Sequence, residues 1–188
     1  MEIATVGVVG AGQMGNGIAH VMATAGYQVL LNDVNQDALD KGVATIRGNM
    51  ERQVVRDKMA EADMEAALRR ITPTLTLSDV GGTDLVIEAA TERETVKTAI
   101  FEALLPHLKP DTILTSNTSS ISITRLASGT DRPEKFMGFH FMNPVPVMQL
   151  VELIRGIATD QDTYDACHGG VAKLGKTAAS AEDFPAFI

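Results

Sequence analysis

Short apolar runs alternate along the chain with longer stretches of helical periodicity. The runs lack regular polar alternation, which is typical of strands buried on both faces of a parallel sheet. They predict strands over residues 5–9, 28–32, 84–89, 112–116, 135–141 and 148–153. Apolar residues at helical spacing predict helices over residues 14–25, 36–59, 92–105 and 160–174. This alternation indicates an α/β domain with helices on both faces of a doubly wound, mostly parallel sheet.

Capping and turn signals mark some of the boundaries. Thr91 and Glu94 have the spacing of a capping box, and Pro106 predicts the end of the helix that follows. Pro144 and Pro146 predict a turn between the last two strands, because proline cannot donate to a central sheet ladder. We therefore expect those two strands to form an antiparallel hairpin.

Composition narrows the class of protein. With 188 residues, 45% hydrophobic and 21% charged, the chain is in the range of a single globular domain. No apolar run reaches the length of a membrane-spanning helix, and the first residues lack the pattern of a secretory signal. The net charge of −8 disfavours general binding to nucleic acid or to an anionic membrane. The single cysteine, Cys167, cannot form an internal disulfide, so we expect the cytoplasm, and we predict no metal site.

The segment GVVGAGQMGNGIA carries a glycine fingerprint. Three glycines in the order G-x-G-x-x-G follow an apolar strand and precede a helix. The first permits a tight turn, the second lets backbone approach a pyrophosphate, and the third lets the helix pack against the strand. Phosphate oxygens would meet the free N–H groups at the positive end of that helix. The predicted cofactor-binding loop comprises Gly10, Ala11, Gly12, Gln13, Met14 and Gly15.

An acidic residue at the end of the second predicted strand strengthens this interpretation. At this position the carboxylate of Asp33 would accept hydrogen bonds from ribose hydroxyls and repel a 2′-phosphate, which favours NAD over NADP. The alternative is an ordinary capping acid, because Asn35 and Asp37 follow closely. Strand, glycines, helix, strand and acid in this order predict a Rossmann-type fold that binds NAD.

One histidine and one glutamate interrupt the apolar segment GFHFMNPVPVMQLVELI. If the chain folds back about Pro146, His140 and Glu152 are equally far from the turn and lie opposite each other. Opposed side chains of an antiparallel pair share a face and can hydrogen-bond, which is the arrangement of a general base oriented by an acid. A purely structural His–Glu pair fits the spacing equally well. An unpaired Glu152 would be costly to bury, so a partner of some kind is expected.

Five motifs together resemble the amino-terminal domain of the bacterial 3-hydroxyacyl-CoA dehydrogenases: GAGQMGNGIA, DLVIEAATE, SNTSSISIT, GFHFMNPVPVMQLVELI and AEDFPAFI. The resemblance covers essentially the whole chain. It implies oxidation of an L-3-hydroxyacyl-CoA, such as 3-hydroxybutyryl-CoA, to the 3-ketoacyl-CoA with reduction of NAD. In that case His140 removes the hydroxyl proton, while Glu152 orients His140 and stabilises its charged form.

Other polar residues gain roles from the same resemblance. Ser119 and Asn143 match family positions that hold the substrate and the nicotinamide. Without the resemblance, both would be interpreted as turn residues that bond their own backbone. Glu92 and Lys97 match family positions that contact the cofactor. Their alternatives are an acid in the first turn of a helix and a solvated helix lysine.

Coenzyme A would bring phosphate groups to a negatively charged chain, so a local basic surface is required. Asn49, Arg52 and Arg56 fall within one narrow arc of the predicted helix 36–59, apart from its apolar face. Such a stripe is usually only a solvated surface. In the family this helical region approaches the CoA moiety, and the resemblance therefore implies Asn49 and Arg56 as substrate contacts.

Length is the departure from the family. Related enzymes continue into an all-helical domain that supplies the dimer interface, part of the substrate cleft and an asparagine at the active site. We therefore expect residues 1–188 to be the NAD-binding domain alone, with feeble turnover, and a homodimer for the full-length enzyme. The alternatives are a nucleotide-binding module without chemistry and an NAD-dependent dehydrogenase of free 3-hydroxy acids.

Overall fold

Eight strands form one sheet in the computed structural model, which describes residues 2–184. The strands are β1 (Thr5–Val9), β2 (Gln28–Asn32), β3 (Ile71–Thr74), β4 (Leu85–Glu88), β5 (Ile113–Ser116), β6 (Phe136–Phe141), β7 (Leu150–Arg155) and β8 (Thr177–Glu182). Their spatial order is β3–β2–β1–β4–β5–β6–β7–β8. Every neighbouring pair is parallel except β6 and β7, which are antiparallel. The predicted Rossmann-type architecture with an antiparallel hairpin is confirmed.

Helices cover both faces of this sheet. They are α1 (Gln13–Thr24), α2 (Gln36–Val55), α3 (Glu61–Arg69), α4 (Leu77–Val80), α5 (Glu94–Leu104), α6 (Ile123–Ser128) and α7 (Gln161–Lys173). One apolar core lies under α1, α2, α3 and α7, and a second lies under α4, α5 and α6. Strand residues alternate between them, so that Val8 enters the first core and Val9 the second. Among residues 2–184, no helix combines the length and apolar character needed to cross a bilayer.

Elements with weak apolar character escape the sequence pattern. Strand β3 has the sequence ITPT and lies at one edge of the sheet, where its proline is tolerated. Strand β8, TAASAE, lies at the other edge and is half-exposed, so it lacks an apolar run. The predicted helix 36–59 ends at Val55, and α3 follows it as a separate helix. The end of the DFPAFI motif, residues 185–188, lies outside the described residues.

The predicted capping box is wrong. Helix α5 begins at Glu94, and Arg93 occupies the N-cap position without a side-chain cap bond. Thr91 and Glu92 therefore precede the helix, in the loop that follows β4. Pro106 lies, as predicted, just beyond the end of α5, in a short 3-10 turn at Leu105–His107.

Asp84 connects the start of β4 to the start of β1. Its carboxylate accepts hydrogen bonds from the N–H groups of Ala4 and Thr5, at 3.0 and 2.8 Å, and from the Thr5 hydroxyl at 2.8 Å. The Lys109 ammonium donates to its other oxygen at 2.6 Å. Partial burial acts to raise the pKa of Asp84, but the bonds from Lys109, Ala4 and Thr5 outweigh it and hold the pKa well below its usual value.

We predict that Asp84→Asn lowers the free energy of unfolding by about 2 kcal/mol at pH 7, because the carboxylate accepts several bonds that the amide cannot all replace. A carboxylate whose pKa is lower in the folded state stabilises the fold above its unfolded pKa, and that stabilisation is lost on acidification. The difference between variant and unaltered protein should shrink as the pH falls below about 4. Urea unfolding from pH 7 to pH 3 measures it.

The matched control is Asp40→Asn. Asp40 is exposed on α2 and accepts a hydrogen bond from the exposed Gln36 side chain. Its replacement should change the unfolding free energy by less than about 0.5 kcal/mol at either pH. Equal effects of the two substitutions would contradict a special role for Asp84.

Candidate active site

The carboxyl ends of the parallel strands meet at one edge of the sheet. The loops that leave β1, β2, β4, β5 and β6 there carry the polar residues singled out from the sequence. Ligands of doubly wound sheets bind at this edge, where strand ends leave backbone groups and side chains free. The site is therefore assembled from five loops that are distant in sequence.

The glycine loop after β1 is sterically closed to larger side chains. Gly10 has φ +100°, and a Cβ there would lie 2.7 Å from the Ala89 carbonyl oxygen. A Cβ on Gly15 would lie 1.6 Å from the Gly10 oxygen, so α1 can approach β1 this closely only without one. Gly12 is the N-cap of α1 and provides no side-chain cap. A Cβ on Gly12 would meet no heavy atom within 4 Å, so the loop is open at the start of α1, where the N–H groups of a helix can bind a pyrophosphate.

Asp33 lies beside this loop. Its Oδ2 accepts the Ala11 N–H at 2.9 Å, and its Oδ1 accepts the Asn35 N–H at 3.1 Å. Asn35 itself caps α2, so Asp33 is not the capping acid of that helix. An apolar cleft of about 400 Å³ extends from Asp33 and is walled by Val9, Val34, Leu77, Val96 and Ile100. A ribose at Asp33 with its adenine in this cleft fits the shape and polarity of the site.

A buried ion pair lies behind the loop that follows β4. Glu88 is fully buried at the end of β4, and Lys97 on α5 is 1% exposed. The Lys97 ammonium donates to Glu88 Oε2 at 2.7 Å, and the Ser116 hydroxyl donates to the same oxygen at 2.7 Å. The Ala90 N–H donates to Glu88 Oε1 at 2.8 Å. The alternative interpretation of Lys97 as a solvated helix residue is therefore wrong.

Glu92 brings a second carboxylate to the same place. Its Oε1 accepts the Thr118 hydroxyl at 2.5 Å and the Ser119 N–H at 3.0 Å, while Oε2 lies 3.9 Å from the Lys97 ammonium. Partial burial acts to raise the pKa of Glu92, but these hydrogen bonds and the charge of Lys97 outweigh it. The pKa of Glu92 is therefore below its usual value. Glu92 is therefore ionised at neutral pH, and it ties the loop after β4 to the loop after β5.

His140 and Glu152 form the contact expected from the hairpin. The two residues are partners in the β6–β7 register. His140 Nδ1 and Glu152 Oε2 are 2.5 Å apart, and the two side chains are 17% and 13% exposed. Carboxylate contact with Nδ1 fixes the plane of the ring and leaves Nε2 as the nitrogen that can exchange a proton with a ligand.

One cavity of about 300 Å³ brings six of the predicted residues together. Its wall includes His140, Asn143, Ser119, Glu92 and Lys97, with Met14 at the glycine-loop side. Glu152 reaches this cavity through His140. Residues from the glycine loop, from two strand ends and from the hairpin thus line the same cavity.

Asn117 and Glu88 belong to this site and were missed from the sequence. Asn117 lines the cavity, and its Oδ1 accepts the Phe141 N–H at 2.8 Å, which joins the ends of β5 and β6. Glu88 holds Lys97 as described above. Both follow apolar strand runs, in DLVIEAA and LTSNTSS, and a polar residue at the carboxyl end of a buried strand is the signal that identifies them.

A groove of about 440 Å³ adjoins the cavity at Asn143. It runs between α1, α2 and the 144–146 turn, past Lys41, Thr45 and Asn49 on α2. Asn49 therefore faces a ligand-sized groove and accepts a hydrogen bond from Arg52. Arg56 is exposed at the C-cap of α2 and does not line this groove. The structure thus brings Asn49, but not Arg56, to the groove.

Comparisons with known proteins agree with this arrangement. The family model described as "3-hydroxyacyl-CoA dehydrogenase, NAD binding domain" matches residues 5–184. The 3-hydroxybutyryl-CoA dehydrogenase of Bradyrhizobium diazoefficiens is 60% identical over 186 residues, which are 99% of this chain and 64% of that protein. The crystal structure of (S)-3-hydroxybutyryl-CoA dehydrogenase from Ralstonia eutropha matches with a TM-score of 0.97 at 45% identity, over 100% of this chain and 66% of that one. The 3-hydroxyadipyl-CoA dehydrogenase of Escherichia coli is 40% identical, over 100% of this chain and 40% of that protein.

We predict that Glu88→Gln lowers the free energy of unfolding by about 3 kcal/mol, because the buried Lys97 ammonium loses its closer anion and keeps only Glu92, whose Oε2 is 3.9 Å away. Adding Lys97→Met to this variant should restore part of the loss, since the poorly paired charge is then removed. Denaturant unfolding measures both effects. The control is Glu94→Gln, which breaks an exposed pair with Arg125 and should cost less than about 1 kcal/mol. A double variant no more stable than Glu88→Gln alone would contradict this account.

Proposed function

The chain belongs to the 3-hydroxyacyl-CoA dehydrogenase family, as its NAD-binding domain, and from this premise we propose that the protein containing it oxidises an L-3-hydroxyacyl-CoA to the 3-ketoacyl-CoA. NAD is the cofactor of this domain. The chain spans 64% to 66% of the length of three curated relatives that it matches, one named 3-hydroxybutyryl-CoA dehydrogenase and two named probable 3-hydroxybutyryl-CoA dehydrogenase. The activity is therefore proposed for the whole protein, with residues 1–188 supplying the NAD-binding domain.

The observation that carries the proposal is the position of the His140–Glu152 pair. The imidazole lines a cavity that also contains Ser119, Asn143 and Lys97, next to the glycine loop. A site of this kind needs a proton acceptor within hydrogen-bond reach of the substrate hydroxyl, while the carbon that bears the hydroxyl faces the nicotinamide. A structural pair deep in the core would be closed to a ligand, so the position of this pair at a cavity wall supports the proposal.

His140 acts as the general base in the proposed mechanism. Its Nδ1 is held by Glu152, so Nε2 receives the proton of the substrate C3 hydroxyl, and the carboxylate stabilises the resulting imidazolium. Bound NAD supplies the hydride acceptor for C3. Ser119 and Asn143 hold the substrate oxygen and the nicotinamide from two other sides of the cavity. In the reverse direction His140 returns the proton to the ketone.

The cofactor contacts follow from the loops around the cavity. The N–H groups at the start of α1 bind the pyrophosphate, and Asp33 accepts hydrogen bonds from the ribose hydroxyls. Glu92 and Lys97 lie on the nicotinamide side, in the same cavity as His140. The rest of the glycine loop, Gly10 to Gly15, supplies close backbone approach rather than side-chain chemistry.

The CoA moiety is proposed to leave the cavity along the groove beside α2. Asn49 lines that groove and supports the assignment, and Lys41 adds a cation there. Arg56 stands further along α2, in position to meet only a part of CoA that extends beyond the groove. A homodimer of the full-length protein and a cytoplasmic location remain predictions.

The proposed substrate is a class of acyl-CoA thioesters rather than a single compound. Relatives that this chain matches are named for 3-hydroxybutyryl-CoA and for 3-hydroxyadipyl-CoA, which differ in length and charge at the far end of the acyl chain. The residues around His140 act on the C3 hydroxyl that these substrates share. The proposal is therefore the class of L-3-hydroxyacyl-CoA thioesters.

We predict that the full-length protein oxidises NADH when acetoacetyl-CoA is added. The rate with free acetoacetate at equal concentration should be at least about 100-fold lower, because the free acid lacks the CoA moiety, whose binding energy helps to lower the barrier at the reacting carbon. Absorbance at the NADH band follows the reaction. Binding of NADH without consumption would favour a nucleotide-binding module. Equal rates with the free acid would favour a dehydrogenase of free 3-hydroxy acids.

We predict that His140→Gln in the full-length protein lowers kcat by about 10²–10⁴-fold, as expected for loss of a general base, while the Kd for NADH changes less than about twofold. Steady-state kinetics and NADH fluorescence titration measure the two quantities. The control is His168→Gln. His168 is an exposed residue of α7 that stacks on Tyr164, so its replacement should leave both kcat and the Kd for NADH unchanged. A parallel loss of kcat and NADH affinity in His140→Gln would indicate a structural histidine instead.

A further inference from the structure

The turn between β6 and β7 sets the geometry of the proposed active site. It begins directly after the His140 strand, carries Asn143, and ends where the Glu152 strand starts. The Pro144 carbonyl accepts the N–H groups of Val147 and Met148, both at 3.0 Å. These bonds close the first part of the turn but leave the carbonyls of Val145 and Met148 directed away from it.

Those two carbonyls are bound by a side chain from another part of the fold. The Lys176 ammonium donates to the Val145 carbonyl at 2.8 Å and to the Met148 carbonyl at 2.5 Å. Lys176 is placed by the end of α7, where Gly175 adopts φ +68° and the Lys176 N–H donates to the Val171 carbonyl. The next residue, Thr177, donates its N–H to the Gln149 carbonyl at 2.8 Å and starts β8. The turn is thus held from outside by the α7–β8 connection.

The two carbonyls of the turn are the hydrogen-bond partners of the Lys176 ammonium. Within residues 2–184, no carboxylate forms an ion pair with Lys176. Charge-assisted bonds are stronger than neutral ones, and an ammonium that reaches two carbonyls fixes the distance between them. The opposite side of the turn is fixed by packing, since Val145 is 2% exposed and lies against Gly17 of α1. The turn is therefore clamped between α1 and Lys176.

Asn143 depends on the same clamp. Its Oδ1 accepts the Gln13 side chain at 3.2 Å, an exposed contact that alone is weak. Displacement of the turn would therefore move Asn143 relative to the glycine loop and would alter the spacing of His140 and Glu152 across the hairpin. Misplacement of reacting groups by about 1 Å can lower a rate by about 100-fold.

We propose that Lys176 is a positioning residue for the reaction: by binding the carbonyls of Val145 and Met148 it holds the turn that sets Asn143, His140 and Glu152 at the active-site cavity. The inference rests on the proposed function. Lys176 does not line that cavity and touches the reacting groups only through the turn. Removal of the Lys176 ammonium should therefore lower kcat more than it lowers the affinity for the cofactor.

The test uses the full-length protein with acetoacetyl-CoA and NADH. Lys176→Met should lower kcat by about 10- to 100-fold, while the Kd for NADH changes less than about twofold. Lys176→Arg keeps a charged group with several donors and should restore kcat to within about threefold of the unaltered protein. Lys176→Gln, neutral and shorter, should fall between these two variants. It decides the question if Lys176→Met does not fold.

The matched control is Lys173→Met. Lys173 lies in the same cleft as Lys176, but its ammonium stands 4.0 Å from the ring centroid of Tyr27 and donates to neither carbonyl of the turn. This variant should keep kcat within about twofold. An unchanged kcat in both Lys176→Met and Lys176→Gln, or equal losses of kcat and NADH affinity, would overturn the inference. Absence of turnover in the unaltered full-length protein would instead overturn the proposed function, and this inference with it.

Discussion

The register of the β6–β7 hairpin is the constraint on which the proposed chemistry depends. Side chains alternate between the faces of a strand, so a slip of one residue would turn His140 or Glu152 away from the other. The fold fixes this register from several directions: β5 pairs with β6, β8 pairs with β7, and Lys176 with the Val145–Gly17 contact holds the turn between them. Residues outside the cavity therefore help to hold the hydrogen bond between His140 and Glu152 in place.

Charge is concentrated in the site at a cost in stability. Burying Glu88 and Lys97 removes both from water, and a well-packed apolar pair of similar size would often be at least as stable. The pair lies directly behind Glu92 and Ser119, where its position is more easily explained by function than by folding. Two carboxylates, those of Glu88 and Glu92, lie near the single ammonium of Lys97, so this group of side chains carries a net negative charge.

The sequence predicted those parts of the fold whose signal is local. The predicted bounds of strands β1 and β2 agree with the structure to the residue, because buried strands contain continuous apolar runs. The pairing of His140 with Glu152 followed from symmetry about Pro146 alone. Edge strands β3 and β8 escaped because half-exposed strands need few apolar residues. The burial of Lys97 could not be read from its helix, because its partner Glu88 comes from a neighbouring strand end and no periodicity records that contact.

The cavity and the groove beside α2 meet at Asn143, and this shared residue limits how the two ligands can be arranged. The Gln13 side chain donates to Asn143, so under the proposed function one side-chain contact joins the cofactor side of the site to the substrate side. A ligand entering along the groove must pass the 144–146 turn before it reaches His140. The turn therefore acts as a common wall, and its rigidity bears on the approach of hydroxyl and nicotinamide together. A flexible wall at this point would lose the alignment that hydride transfer needs, whatever the affinity of either ligand.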